Sequence, residues 1–266
     1  VKGLSLDLRT MLSAWFDIGL LELVRIDWDS PASLLEKLIE YESVHAIKSW
    51  DDMKNRLDTD RRCYGFFHPN MPNEPLIFVQ VALVDGISEN VEVLLDETKP
   101  AVDPKVANTA IFYSISNAQR GLDGISFGNF LIKQVVEELI KELPNLKTFS
   151  TLSPIPGFSV WLKGQIIDDN CDLLTESDRK KLSTYIDNGN DSDANLLRGV
   201  IDRVDNSEPD DLVSEDKLKE VFTRWAAIYL FNIKGKNDRV LDPVGHFHLS
   251  NGARIEKINW NADTSI

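Results

Sequence analysis

Hydrophobic positions change period several times along the chain, and each change predicts a boundary between elements. Leu8, Met11, Leu12 and Trp15 recur at helical spacing, with Gly19 closing the segment. Residues 20–28 alternate as a strand, and Ser30-Pro31 then opens a helix whose face is Leu34, Leu35, Leu38 and Ile39. Ser49 caps a short helix over 50–57, with Asp51 and Asp52 in its first turn. The period then becomes two. Residues 62–68, 75–84 and 91–95 are predicted strands, with turns at 69–74 and at Gly86, the loop 70–73 joining antiparallel neighbours.

The stretch 109–158 organises the rest. An apolar, β-branched run over 110–115 has the make-up of a buried strand, and a turn with Gly121, Gly124 and Gly128 follows. From Phe127 the spacing is helical (Phe130, Leu131, Val135, Leu139, Leu143) until Pro144, and residues 146–152 form a second strand. Ser153 stands at that strand's end, before the stiff turn Pro154-Ile155-Pro156-Gly157. Downstream, 158–162 starts a short helix, and 168–216 is an acidic, solvated stretch with helical pieces near 176–186 and 194–204. Leu218, Val221, Phe222, Trp225, Tyr229 and Leu230 line an amphipathic helix. Asp242-Pro243 is a turn, and residues 245–260 are expected to form a hairpin about Asn251-Gly252. Several strands followed by one crossover helix make an α+β arrangement, a mostly antiparallel mixed sheet with flanking helices.

Totals narrow the function. The chain has 266 residues, 42% hydrophobic and 27% charged, as in ordinary globular proteins that bury a substantial core. A formal net charge of −14 argues against nucleic-acid partners, which select a basic face. Cys63 and Cys171 make no disulfide framework, no apolar run is long enough to span a bilayer, and a reducing cytoplasmic setting is the expectation.

The strand–glycine loop–helix unit has a chemical use. A helix N-terminus offers unpaired N–H groups and partial positive charge, and glycines let the backbone approach an anion such as a pyrophosphate. Arg120 and Lys133 could add a local positive field. The bland alternatives are a tight turn and two solvated cations. His246 and His248, two apart, would share one face of a strand, but no third ligand stands at matching spacing and a metal is not expected. Ser153 on its own pattern is a turn former, and no G-x-S-x-G elbow is present.

The segments FYSIS, GLDGISFGNFLIKQVV, TLSPIPGF and FHLSNGARIEKINWNADTS, with HAIKSWDDMKNRL and RRCYGFFHP before them, together resemble malonyl-CoA decarboxylase. The likeness covers most of the chain and weakens in the acidic segment. It implies a GCN5-type acetyltransferase-like catalytic domain over 20–266, with an acidic helical insertion near 168–216 and the end of a helical region over 1–19. It also implies a homo-oligomer formed through a helical domain preceding the match, a role in fatty acid metabolism, malonyl-CoA as substrate, and no separate cofactor, since coenzyme A belongs to the substrate. By the same resemblance His248 and Ser153 are the catalytic pair and Ser114 an active-site serine. Substrate would lie along Asp123, Gly124, Ile125, Ser126, Phe127, Gly128 and Asn129. Ser126 replaces an acidic residue of some members, and a C-terminal tyrosine of the family falls beyond Ile266. An acyl-CoA-dependent acetyltransferase and a non-catalytic coenzyme A-binding module are the alternatives.

Overall fold

The computed structural model describes residues 2–16, 18–119, 128–167, 173–185, 192–207 and 216–264. The chain divides into two units, residues 1–153 and 154–264, each with its own core. Among the described residues no helix is long and apolar enough to cross a membrane.

Unit 1 contains helices α1 (Lys2–Trp15), α2 (Ala32–Tyr41), α3 (Trp50–Asn55), α4 (Val91–Leu95) and α5 (Gly128–Glu142). Its five-stranded sheet runs in chain order: β1 (Glu22–Ile26), β2 (Arg61–His68), β3 (Met71–Val84), β4 (Thr109–Asn117) and β5 (Thr148–Thr151). Neighbours are antiparallel except β5, which runs parallel to β4 because α5 carries the chain back across the sheet. Alternation along the strands fills two cores. Phe66, Val79, Val81, Ala110 and Phe112 pack on Leu131, Val135 and Leu139 of α5. On the opposite face Ile26, Cys63 and Phe78 meet Leu34, Leu35 and Leu38 of α2 with Met53 of α3, and Ala82, Ile111 and Tyr113 meet Val91 and Leu94 of α4.

The expected cap of α3 is present: the Ser49 hydroxyl accepts the Asp52 N–H at 3.0 Å. Residues 91–95, expected as a strand, are helical. The Asn90 side chain accepts the Val93 N–H and starts a turn that buries Val91 and Leu94, so the segment's short apolar pattern serves a helix against the sheet.

One irregularity sets the later chemistry. Gln80 pairs with Ser114 but Val81 pairs with Phe112, so Tyr113 is the extra residue of a β-bulge. Before it, even-numbered Ala110 and Phe112 face α5; after it, Ile115 packs on that side and the Ser114 and Ser116 hydroxyls reach Glu42, which ends α2. Without the extra residue both serines would face the apolar α5 core.

Unit 2 is helical: α6 (Phe158–Ile167), α7 (Glu176–Leu182), α8 (Asp193–Asn206), α9 (Asp216–Asn232) and α10 (Pro243–Ser250). Leu162, Leu182, Leu197, Val200, Leu218, Val221 and Trp225 form its core. The acidic stretch is therefore more than solvated surface. Its α7 and α8 bury apolar faces, and buried Asp178 both closes a capping box with Thr175 and pairs with Arg224 of α9.

The expected hairpin over 245–260 is not formed. Residues 243–250 are helical, with Pro243 at the first helical position and the Asp242 side chain accepting the Gly245 N–H at 2.8 Å. Asn251-Gly252 is the end of that helix rather than a hairpin turn: the Asn251 N–H donates to the His248 and Leu249 carbonyls, and Gly252 takes φ +85°.

Candidate active site

In unit 2 the residues of interest gather around one carboxylate. Asp242 is fully buried. One of its oxygens accepts the Gly245 N–H at 2.8 Å, and the other accepts the Gly157 N–H at 3.0 Å. The Tyr229 hydroxyl of α9 is hydrogen-bonded to the same carboxylate. Burial first, then the Asp242 charge and hydrogen bond, push the Tyr229 phenol up, so it remains a donor at neutral pH. Asp242 thus joins the Pro154-Ile155-Pro156-Gly157 turn, α9 and the start of α10.

Gly157 fits this junction because it has no side chain: a Cβ there would lie 2.1 Å from the Tyr229 hydroxyl oxygen and 3.2 Å from an Asp242 oxygen. Phe158 and Trp161 of α6 close the other side of the Tyr229 ring, at centroid distances of 6.0 and 5.2 Å.

His248 lies on α10, so the expectation that His246 and His248 share a face is corrected: residues two apart on a helix point about 200° apart. His248 is half-buried, the Phe247 ring stands edge-on to it at 5.0 Å, and its carbonyl accepts the Asn251 and Ala253 N–H groups at 3.1 Å. Burial lowers its imidazole below the ordinary 6.5. Among the described residues no group of three His, Cys, Asp or Glu side chains is arranged to hold a metal.

Unit 1 contributes the remaining residues. Ser153 ends it, half-buried, directly after β5 and the Leu152 N–H bond to the Phe112 carbonyl at 3.0 Å. Ser114 is buried, its hydroxyl 2.7 and 2.8 Å from the two Glu42 oxygens. Glu42 also accepts from Ser116 at 3.0 Å, from the Gln80 amide at 2.6 Å and from the Val44 and His45 N–H groups at 2.8 and 3.1 Å. Gln80 in turn accepts from Tyr113 and Arg56, and Arg56 forks onto Asp52 at 2.6 and 3.1 Å. This closed polar network went unread in the sequence because its members lie on α2, α3, β3 and β4, far apart in the chain.

Of the expected substrate loop, Asp123, Gly124, Ile125, Ser126 and Phe127 lie outside the described residues, as do Arg120 and Cys171. Gly128 and Asn129 open α5, at the end where a helix offers unpaired N–H groups. Lys133 is exposed on α5. β5 pairs with only Thr109, Ala110, Ile111 and Phe112 of β4. Among the described residues the rest of β4 has a strand partner on its β3 side alone. An open groove of about 780 Å³ between β1, β2 and α5 suits an anion poorly, because its cations Arg25 and Lys141 are already paired with Glu142 and Glu138, and Glu137 adds a further negative charge.

Gly157→Ala is expected to destabilise unit 2 by about 1–3 kcal/mol through overpacking on Tyr229. Gly164→Ala, inside α6 with nothing within 4 Å of its Cβ, should be neutral or stabilise by up to about 1 kcal/mol. Denaturant melts of both variants check the contrast. For His248 the sign follows from its lowered value. Folded and unfolded forms are both neutral above 6.5, and below it the unfolded form binds more protons. Stability is therefore complete above pH 6.5 and falls as pH drops from there through the folded value, and His248→Gln should flatten that part of the curve.

The comparisons with known proteins agree with one another. Residues 19–266 match the family model of the malonyl-CoA decarboxylase C-terminal domain. The mitochondrial malonyl-CoA decarboxylase of Anser anser anser is 41% identical over 272 residues, covering 100% of the chain and 53% of the relative, and that of Rattus norvegicus is 40% identical over 97% of the chain and 53% of the relative. The chain thus spans about half the length of the curated relatives it matches. Crystal structures of malonyl-CoA decarboxylase from Agrobacterium vitis and Rhodopseudomonas palustris superpose with TM-scores of 0.86 and 0.78 at 42% and 47% identity, covering 99% and 95% of this chain and 61% and 57% of theirs. With a family model matched over nearly its whole length, the chain belongs to the malonyl-CoA decarboxylase family, as its C-terminal domain.

Proposed function

We propose that this chain decarboxylates malonyl-CoA to acetyl-CoA and CO2, with His248 and Ser153 acting on the acyl end. The observation that carries the proposal is the family match over residues 19–266. Two features support the substrate class. The N-terminus of α5 suits a pyrophosphate, and the unpaired part of β4 suits an amide-containing arm such as the pantetheine of coenzyme A.

The chemistry asks little of the protein's inventory. The bond between the malonyl α-carbon and its carboxylate breaks, CO2 leaves, and the electron pair passes to the thioester oxygen as an enolate. That thioester carbonyl is the electron sink, so the reaction as proposed uses no separate cofactor. Backbone N–H donors would stabilise the developing oxyanion. The enolate then takes a proton at carbon from the His248 imidazolium, which solvent reprotonates. Ser153 orients the malonyl carboxylate or exchanges a proton with His248. A half-buried imidazole whose value is lowered by its surroundings makes a stronger acid than one in water, which suits proton delivery to carbon.

Malonyl-CoA alone, with no acceptor amine, should yield acetyl-CoA and CO2 in equal amounts. Dependence of CO2 release on an acceptor would replace this reading with an acyltransferase. His248→Ala should bind substrate and lose roughly a hundredfold or more in turnover, as for removal of a general acid, and binding with no turnover even in the parent protein would leave a coenzyme A-binding module. The pH dependence gives a second check. Because the acid form of His248 is required, kcat/KM should rise as pH falls from about 8 and level off below the folded imidazole's value. A flat profile across that range would remove His248 as the acid.

A further inference from the structure

We infer that Asp242 is the positioning residue for His248: its carboxylate fixes α10 against the Pro154–Gly157 turn and α9. This rests on the proposed role of His248. The argument starts from what a fully buried carboxylate requires. Its oxygens must find donors, and Asp242 takes three neutral ones, the Gly245 and Gly157 N–H groups and the Tyr229 hydroxyl. The donors come from three separate segments of unit 2. Ordinary helix capping would use only Gly245. The other two contacts add nothing to α10 as a helix; they determine where it lies.

α10 needs such an anchor. No residue of this eight-residue helix is fully buried: residues 244–249 are half-buried, Gly245 lies against Leu230 and Val240, and both ends are exposed. The buried carboxylate at its start is thus its most enclosed attachment. The grip on its first turn therefore adds a fixed point to that partial packing, and through it bears on the helix's axial position and rotation and on the placement of His248. The grip is rigid on its far side: Gly157 has no space for a methyl group beside Tyr229, and Tyr229 is itself buried and packed by Phe158 and Trp161. Gly157 also lies four positions after Ser153 in the chain, so one carboxylate constrains a segment adjoining each member of the proposed catalytic pair.

Asp242→Ser separates the two functions of the side chain, because serine still caps α10 but is too short to hold Gly157 and Tyr229 as well. The test is a double-mutant cycle of Asp242→Ser and His248→Ala in the protein, reading kcat and KM for malonyl-CoA on samples shown folded by circular dichroism. With His248 present, Asp242→Ser should lower kcat roughly tenfold or more and change KM less than about twofold; with His248 absent it should cost less than about twofold, since residues acting through one another are not additive. Equal losses in both backgrounds, or unchanged kcat in folded Asp242→Ser, would overturn the positioning role while leaving the function of His248 intact. Full turnover of His248→Ala would instead overturn the proposed function and this inference with it. Tyr229→Phe, which removes one donor and no volume of consequence, supplies the same readout should Asp242→Ser not fold: a partial kcat loss confined to the His248 background supports the role, and none rejects it.

Discussion

A carboxylate taken out of water has to be given hydrogen-bond donors, and in each unit of this chain one such residue meets that demand by drawing several elements together. In unit 1 the residue is Glu42, which draws donors from the loop after α2, from β3 and from both serines of β4. In unit 2 it is Asp242, which draws them from the turn before α6, from α9 and from α10. The bonds themselves contribute modestly, about 1.5–3 kcal/mol each where one partner is charged. Their larger effect is on specificity: a shift of any contributing element strands a buried charge, so each carboxylate penalises alternative packings of its unit.

The two cases use different local devices. Glu42 depends on the bulge at Tyr113, which rotates Ser114 and Ser116 out of the apolar α5 core. Asp242 depends on a glycine, because only an absent Cβ lets the Gly157 N–H approach a carboxylate that Tyr229 also reaches. Both are small violations of a regular element, and in both the irregular residue exists to deliver a polar group to a buried acceptor.

The sheet was largely legible, because periodicity of two and of 3.6 survives in the sequence wherever one side of an element meets a core. Residues 62–68, 75–84 and 110–115 lie within β2, β3 and β4, and Phe130 to Leu143 track α5. Failures came where one local signal has two meanings. Asn-Gly at 251–252 is the commonest short hairpin turn, yet the same left-handed glycine ends a helix, and Asp242-Pro243 marks a turn or a capped first turn equally well. The alternation of His246, Phe247 and His248 then favoured the wrong choice. Reading Asp242-Pro243 as cap and first helical position would have placed α10. The partners of Glu42 and Asp242 were beyond reach, since nothing in a single sequence pairs residue 42 with 114 or 157 with 242.

The distinction between placing a group and tuning it matters for how the site is understood. A carboxylate near an imidazole usually raises its proton affinity, and a site built on that principle would show His248 shifted upward. Here the imidazole is lowered, and burial is the cause. On the positioning role inferred above, the influence of Asp242 on His248 is geometric: burial of the ring would set its acid strength, and the bond network at the other end of the helix its location. Keeping the two apart would have a physical advantage for the proposed reaction, which creates an enolate. In the proposed reaction an anionic partner in contact with the imidazolium would stabilise the charged acid and weaken its drive to protonate carbon, whereas an anchor about 1.7 turns away would fix the donor and leave its acidity to the ring's own surroundings.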